Sequence, residues 1–294
     1  MALKRPEEPP AMKSSHFVLT SVPPAEPAAP WLGGKRHLAK RICEIMARTP
    51  HAAYAEPFVG MGGVFLRRAM RPKVEVINDV SGDLVNLFRI LRAHPEALLR
   101  ELRWRPAMRA EFDRAKGARL QDATDVERAA AFLYLQVLAY GGKVRGRSFG
   151  VDQVNAHNFD LARLEPRLRR IHDRLAGVVI ENLDWADFIP RYARPGTLLY
   201  LDPPYWGSED DYGTGLFDRS DFDRLALMLR DCDAMILLSI NDVPEVRTRF
   251  AWAQLQAVET TYTVGRIGRD EPARELLVSK GVDLAAADPQ RSLF

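Results

Sequence analysis

Apolar positions recur along this chain with two distinct periods. In "WLGGKRHLAKRICEIMART", Leu38, Ile42 and Ile45 fall three and four residues apart, which predicts an amphipathic helix after a Gly-Gly turn. "AAYAEPFVG" is instead a short apolar run that stops at a glycine turn, the pattern of a strand. "GVFLRRAM" then predicts the start of a helix, "KVEVIND" a second strand and "GDLVNLFRILRA" a further helix. Strand and helix in alternation predict a parallel, doubly wound sheet. Between about Pro95 and Ala176 the rhythm changes to long helical patterns such as "VERAAAFLYLQVLAY", interrupted by the glycine- and arginine-rich "GGKVRGRSFG". Alternation resumes with "GVVIENLDW", "GTLLYLDPPY", a helix around Phe222, Leu225, Ala226 and Leu229, and "AMILLSIND". "WAQLQAVETTYTVG" and "RELLVSK" predict a closing β pair. The expected organisation is an α/β domain in two segments, 30–94 and 176–294, divided by a mainly helical insertion over 95–175. Residues 1–29, rich in Pro and Ala without periodicity, are expected to form a largely disordered tail in which "HFVLT" docks briefly. There are no internal repeats.

Composition changes this picture little. An apolar fraction of 47% and a charged fraction of 28% describe an ordinary soluble globular protein. The formal charge is only +3, but it is unevenly spread: Leu91 to Leu175 hold 17 Lys+Arg against 11 Asp+Glu, a local +6 that leaves −3 elsewhere. A basic middle in an acidic body fits either a segment facing a polyanion or a solvated, arginine-rich helical surface. Cys43 and Cys232 lie far apart without metal-ligand spacing, as buried thiols of a reducing compartment would. No apolar run reaches membrane length and no secretory signal is present, so a cytoplasmic protein without a metal is expected.

Candidate chemistry gathers at the predicted strand ends. Gly60 and Gly62 in "EPFVGMGGVF" sit at a strand-to-helix turn, where glycine admits positive φ and close approach of a ligand. A dinucleotide fingerprint is a poor match, because Phe65 occupies the third glycine position. Asp79 ends the next strand 19 residues after Gly60, where a carboxylate can accept both hydroxyls of a ribose, cap the following helix, or do both. Asp184 and Trp185 in "NLDWADF" suit the edge and face of an adenine, although taken singly such residues are more often a helix cap and a core ring. In "LLYLDPPYW" an apolar run meets Asp202, Pro203, Pro204 and Tyr205. Proline has no backbone donor, so the chain leaves the sheet at Asp202 in a stiff turn.

Together these motifs resemble the Dam-type family of DNA adenine-N6 methyltransferases, over nearly everything after the tail. "WLGGK" looks like its W-x-G-G-K element, and "FVGMGGVF", beginning at Phe58, like its F-x-G-x-G-x-x-F cofactor loop. "IND" matches its ribose acid, "DPPY" its catalytic tetrapeptide and "RELLVSK" its closing E-L-L strand. The order of cofactor loop, recognition insertion and DPPY is also that of the family. The resemblance implies the S-adenosylmethionine-dependent, Rossmann-like methyltransferase fold: a mixed sheet with helices on both faces and a helical target-recognition insertion. It implies S-adenosylmethionine as cofactor, with Trp31, Lys35, Asp79 and Asp202 on positions that contact it. Double-stranded DNA is the implied partner, a cognate restriction endonuclease is admitted, and a monomer or weak dimer is expected.

The chemistry asked of "DPPY" is consistent with its residues. An adenine amine has its lone pair delocalised into the ring, and a carboxylate is far too weak a base to deprotonate it. Asp202 and the Pro203 carbonyl can instead accept its two N–H groups while the nitrogen rehybridises. The target is inaccessible inside a duplex, so the base must swing out, where Tyr205 can stack on it. Trp206 suits a wall or a hydrophobic anchor, and "GSEDDYG" a mobile lid. In "YGGKVRGRSFG", Lys143, Arg145 and Arg147 alternate, so an extended loop would present all three to one side, towards phosphates or solvent. Arg167, Arg169 and Arg170 are weaker phosphate candidates. Two rivals remain at this point: a methyltransferase acting on an RNA base or another planar amine, and a DNA-binding relative without catalysis.

Overall fold

The computed structural model describes residues 17–118, 122–150, 159–211, 213, 215–260 and 273–285. In chain order the elements are β1 (Thr20–Ser21), α1 (Ala39–Arg48), β2 (Ala53–Glu56), β3 (Met70–Arg71), β4 (Val74–Asn78), α2 (Gly82–Ala93), α3 (Pro95–Arg103), α4 (Arg109–Gly117) and α5 (Asp125–Leu138). There follow α6 (Leu161–Arg174), β5 (Val179–Glu181), α7 (Trp185–Tyr192), β6 (Thr197–Leu201), α8 (Arg219–Asp231), β7 (Met235–Asn241), α9 (Pro244–Arg249), β8 (Gln254–Thr260) and β9 (Ala273–Lys280). Local signals set several boundaries. The Ser81 side chain caps α2 at Leu84 N, Pro95 opens α3, and capping boxes start α5 (Thr124 with Glu127) and α8 (Asp218 with Asp221).

Among the described residues seven strands form one sheet in the order β5-β4-β2-β6-β7-β9-β8. The first five are parallel, whereas β9 runs antiparallel between β7 and β8. The predicted alternation, mixed sheet and closing β pair are therefore present. β6 is buried along its whole length, and its side chains alternate between two cores. Leu198 and Tyr200 join α1, α2, α3, α5 and α6 on one face, whereas Leu199 and Leu201 join α7 and α8 on the other. The helices from α3 to α6 share one continuous core with α1 and α2, so the insertion is packed onto the sheet domain directly.

Two expectations are corrected. "GVFLRRAM" does not start an α-helix: it makes a single 3-10 turn, Phe65–Arg67, before β3. Arg68 is drawn inward to Glu75 at 2.7 Å, and Met70–Arg71 pair with Thr20–Ser21, so the chain is pulled straight. That same pairing overturns the disordered tail from Phe17 onward. Val22, Ala25, Ala28 and Ala29 are buried, with Val22 N donating to Ala69 O and Ala25 N to Leu66 O. Residues 1–16 lie outside the described residues.

Candidate active site

The C-terminal ends of β4, β2 and β6 are neighbours, and the candidate residues collect there. The buried β6 delivers Asp202 into a turn whose prolines, Pro203 and Pro204, are themselves buried. Asp202 Oδ1 is 2.7 Å from the Lys35 ammonium, which also meets Glu275 Oε1 at 2.7 Å and the Tyr205 hydroxyl at 2.6 Å. The Tyr205 hydroxyl in turn donates to Glu275 Oε1 at 2.8 Å. Two carboxyls, an ammonium and a phenol thus close on one another, with Lys35 and Glu275 almost fully buried and Asp202 22% exposed. Burial pushes the Asp202 carboxyl up to about 6; Lys35 opposes that rise and Glu275 adds to it. Burial alone would lower the Lys35 pKa, but the carboxylates of Asp202 and Glu275 hold it above its ordinary value.

The turn is gripped from the neighbouring strands as well. Asn241 and Glu275 face each other across β7 and β9. Asn241 accepts from Trp206 N at 2.9 Å and donates to Trp206 O at 3.0 Å, while Glu275 holds Tyr205. The Trp206 ring packs 5.0 Å from Phe222 and lies under Arg249, so it anchors the turn to the core. In the segment expected to act as a lid, Glu209 pairs with Arg219 at 3.7 Å, whereas Tyr212 and Thr214 fall outside the described residues.

At the turn that leaves β2, Gly60 and Gly62 have φ of 49° and 77°. A Cβ on Gly60 would stand 2.7 Å from the Trp31 indole nitrogen, so glycine is required for that ring to lie over the turn. Asp79 accepts from Gly60 N at 3.0 Å and Ser81 N at 2.9 Å; burial raises its carboxyl to about 6 against those two donors. It braces the glycine turn, while the cap of α2 is made by Ser81 and not by Asp79. Asn78, not singled out by sequence, clamps three strand ends together: it donates to Pro57 O and Leu183 O and accepts from Leu183 N.

Other predicted residues are engaged elsewhere. Lys35 sends its ammonium to the Asp202 cluster, leaving its backbone nitrogen beside Gly63. Asp184 caps α7 at Ala186 N, 2.8 Å away, and Trp185 is buried in an aromatic group with Phe58 and Phe217. Lys143 and Arg145 are exposed, but Arg147 turns inward: its Nε and Nη2 reach Gln136 Oε1 at 3.2 and 3.0 Å. The three cations therefore do not share one side, because Gly146, with φ of 59°, breaks the alternation. Arg169 is paired with Glu96 and Glu165, and Arg167 with Glu26. Among the described residues no group of three or more His, Cys, Asp or Glu could hold a metal ion, and no helix is long and apolar enough to cross a membrane.

Sequence reasoning missed Glu275, Asn241, Asn78 and Gln136. Glu275 and Gln136 lie within β9 and α5, and Asn78 and Asn241 end β4 and β7; a polar group placed against a core in this way demands a partner.

Comparison with known proteins bears on this geometry. Residues 31–264 match the model of the D12 class N6 adenine-specific DNA methyltransferases. A type II methyltransferase, M1.LlaDCHI of Lactococcus lactis subsp. cremoris, is 26% identical over 81% of this chain and 89% of its own length. A DNA adenine methylase of Vibrio cholerae serotype O1 is 25% identical over 81% of this chain and 89% of its own. A DNA adenine methylase of Serratia marcescens is 27% identical over 84% and 95%, respectively. Glu275 lies beyond the stretch that the family model matches.

Proposed function

The chain belongs to the D12 class of N6 adenine-specific DNA methyltransferases, and on that premise we propose that it uses S-adenosylmethionine to methylate an adenine swung out of duplex DNA onto the Asp202–Tyr205 turn. The observation that carries this reading is the closed cluster of Lys35, Asp202, Tyr205 and Glu275 at the end of β6, one strand away from the glycine turn that leaves β2.

The residues at the ends of β2 and β4 suit the cofactor. Gly60 leaves the space that a Cβ would fill, Trp31 covers it, and the half-buried Asp79 is fixed by two backbone donors. Phe58, Gly62 and Asp79 would hold the nucleoside, with Trp31 as a wall. When bound, S-adenosylmethionine supplies an electrophilic methyl group on a sulfonium. Asp184 and Trp185 support that pocket from behind, as a helix cap and a core ring.

Asp202 and the Pro203 carbonyl act as fixed acceptors for the two N–H groups of the adenine amine, so its lone pair is freed and aimed. Positive charge grows on that nitrogen during transfer, and acceptors already in place favour it more than the neutral amine. Lys35 keeps Asp202 ionised despite burial, so the carboxylate is available at neutral pH. Once the nitrogen is methylated, its surplus proton has Asp202 as its nearest acceptor. Tyr205, held at its hydroxyl from β9 and by Lys35, offers a ring to stack on the flipped base, a contact worth about 1–3 kcal/mol. The basic stretch around Lys143 and Arg145 supports the helical segment, 95–175, as the unit that faces DNA phosphates.

Asp202→Ala tests the assignment. Tritium transfer from labelled cofactor into DNA should be abolished, while the circular-dichroism spectrum stays that of the wild type. Undiminished transfer would refute the role given to Asp202.

A further inference from the structure

Gln136 is fully buried in the apolar α5. Its amide uses every hydrogen-bonding position it has. Nε2 donates to Pro30 O at 2.9 Å and to Gly142 O at 2.8 Å, while Oε1 accepts both contacts from Arg147. These partners belong to two different parts of the proposed machinery. Pro30 precedes Trp31, which covers Gly60; Gly142 and Arg147 bracket Lys143 and Arg145. The two parts touch directly as well. Leu32 N donates to Gly142 O at 3.0 Å, and a Cβ on Gly142 would stand 2.8 Å from Trp31 N. A second path runs through side chains, with the Arg147 guanidinium 5.1 Å from the Phe132 ring and Phe132 6.5 Å from Trp31.

We propose that Gln136 is a positioning residue that fastens the base of the basic loop to the turn carrying Trp31, so that engagement of DNA and binding of cofactor depend on each other, with this amide carrying the largest share beside the direct Leu32–Gly142 contact. Arg147 is thereby a strut of the loop, and Lys143 and Arg145 are its outward cations. The inference rests on the functional reading above, which supplies the two ligands. If DNA draws on Lys143 and Arg145, the displacement is passed to the Pro30 and Gly142 carbonyls, because the amide is fully buried, where a lost hydrogen bond is costly. Linkage requires the effect to be mutual: DNA must change the cofactor affinity by the factor by which cofactor changes the DNA affinity.

The test measures that factor. The Kd of S-adenosylhomocysteine is determined by calorimetry on the full chain, with and without sheared, unmethylated genomic DNA. The wild type should show a ratio of about fivefold or more. Gln136→Leu removes all four hydrogen bonds at similar volume and should at least halve the ratio, with the direct Leu32–Gly142 contact left to carry the remainder. Arg147→Met, which leaves both carbonyl contacts in place, should reduce it only in part and guards against a misfolded Gln136 variant. A merely structural Gln136 would weaken both ligands and leave the ratio untouched. A ratio unchanged in Gln136→Leu overturns the inference, as does a wild type that binds both ligands independently. A wild type that binds neither ligand overturns the functional reading, and this inference with it.

Discussion

Replacing Glu275 by glutamine keeps an oxygen for the Lys35 ammonium and the Tyr205 hydroxyl but removes one negative charge from the cluster. Lys35 Nζ stands 2.7 Å from an oxygen of each acid, so those oxygens lie within about 5.5 Å of each other, and at an effective dielectric of about 20 like charges so placed repel by about 3 kcal/mol. That repulsion is equivalent to about two pKa units. Asp202 is 22% exposed, and solvent screening brings the expected shift nearer to about one unit. The sign follows from the causes of the shift. Burial, and then Glu275, push the Asp202 carboxyl up to about 6 against the pull of Lys35. Removing the Glu275 charge therefore lowers it, and leaves Lys35 more fully to Asp202. Protonated Asp202 keeps a weaker, neutral acceptor but loses the charge that favours the positive nitrogen of the transition state, so activity falls as pH drops through its pKa. The assay is kcat/KM for the cofactor, followed by tritium transfer from about pH 4.5 to about pH 8.5, which reports the free enzyme. The wild type should lose activity with an apparent pKa of about 6, and Glu275→Gln with one of about 5. A limb that stays in place or moves upward, in a variant whose melting temperature is unchanged, refutes the electrostatic role of Glu275.

Glu56 is fully buried, accepts from the Tyr54 hydroxyl, and is raised by burial to about 8. The native state then holds a proton that the unfolded chain has lost, so stability declines as pH rises from about 4.5 to about 8. Glu56→Gln should gain melting temperature on the wild type over that window, and parallel curves would contradict the assignment. Glu75 is buried between Arg68 and Arg174 at 2.7 Å from each. Glu75→Gln should cost about 3–5 kcal/mol in urea unfolding, since two guanidinium groups lose their shared counter-charge; a loss below about 1 kcal/mol would show that water serves equally well. In DNA titrations, Lys143→Ala with Arg145→Ala should reduce the salt slope by about two, whereas Arg147→Ala should leave it unchanged. A slope insensitive to the double substitution moves the phosphate contacts elsewhere.

What the sequence made legible was local. "FVGMGG", "IND" and "DPPY" each mark a strand end by residues within a few positions of one another, so glycine and proline chemistry announces the turn before any tertiary contact is known. Lys143, Arg145 and Arg147 show the limit of that logic. Their spacing predicts one shared side only if the backbone is extended. Positive φ at Gly141, Gly142 and Gly146 removes that condition, and Arg147 faces the core. Glu275 fails in the opposite way. An acid within "RELLVSK" is visibly out of place in a strand, and a buried carboxylate must have a partner. Its partners are Lys35, ahead of α1, and Tyr205, 70 residues away, and no pattern within β9 points to either. Gln136 within the apolar stretch of α5 and Asn241 at the end of β7 follow the same rule, each with its partners outside its own element. A polar residue inside an apolar run therefore predicts that a tether exists, while the fold alone determines what is tethered. On the proposed function, the tethered parts are those that the chemistry requires to be rigid: the Asp202 turn, the ring of Tyr205 offered to the base, and Trp31 as a wall of the cofactor pocket. Rigidity at these points follows from transfer to a weak nucleophile, because acceptors that had to be gathered during the reaction would give back what they stabilise.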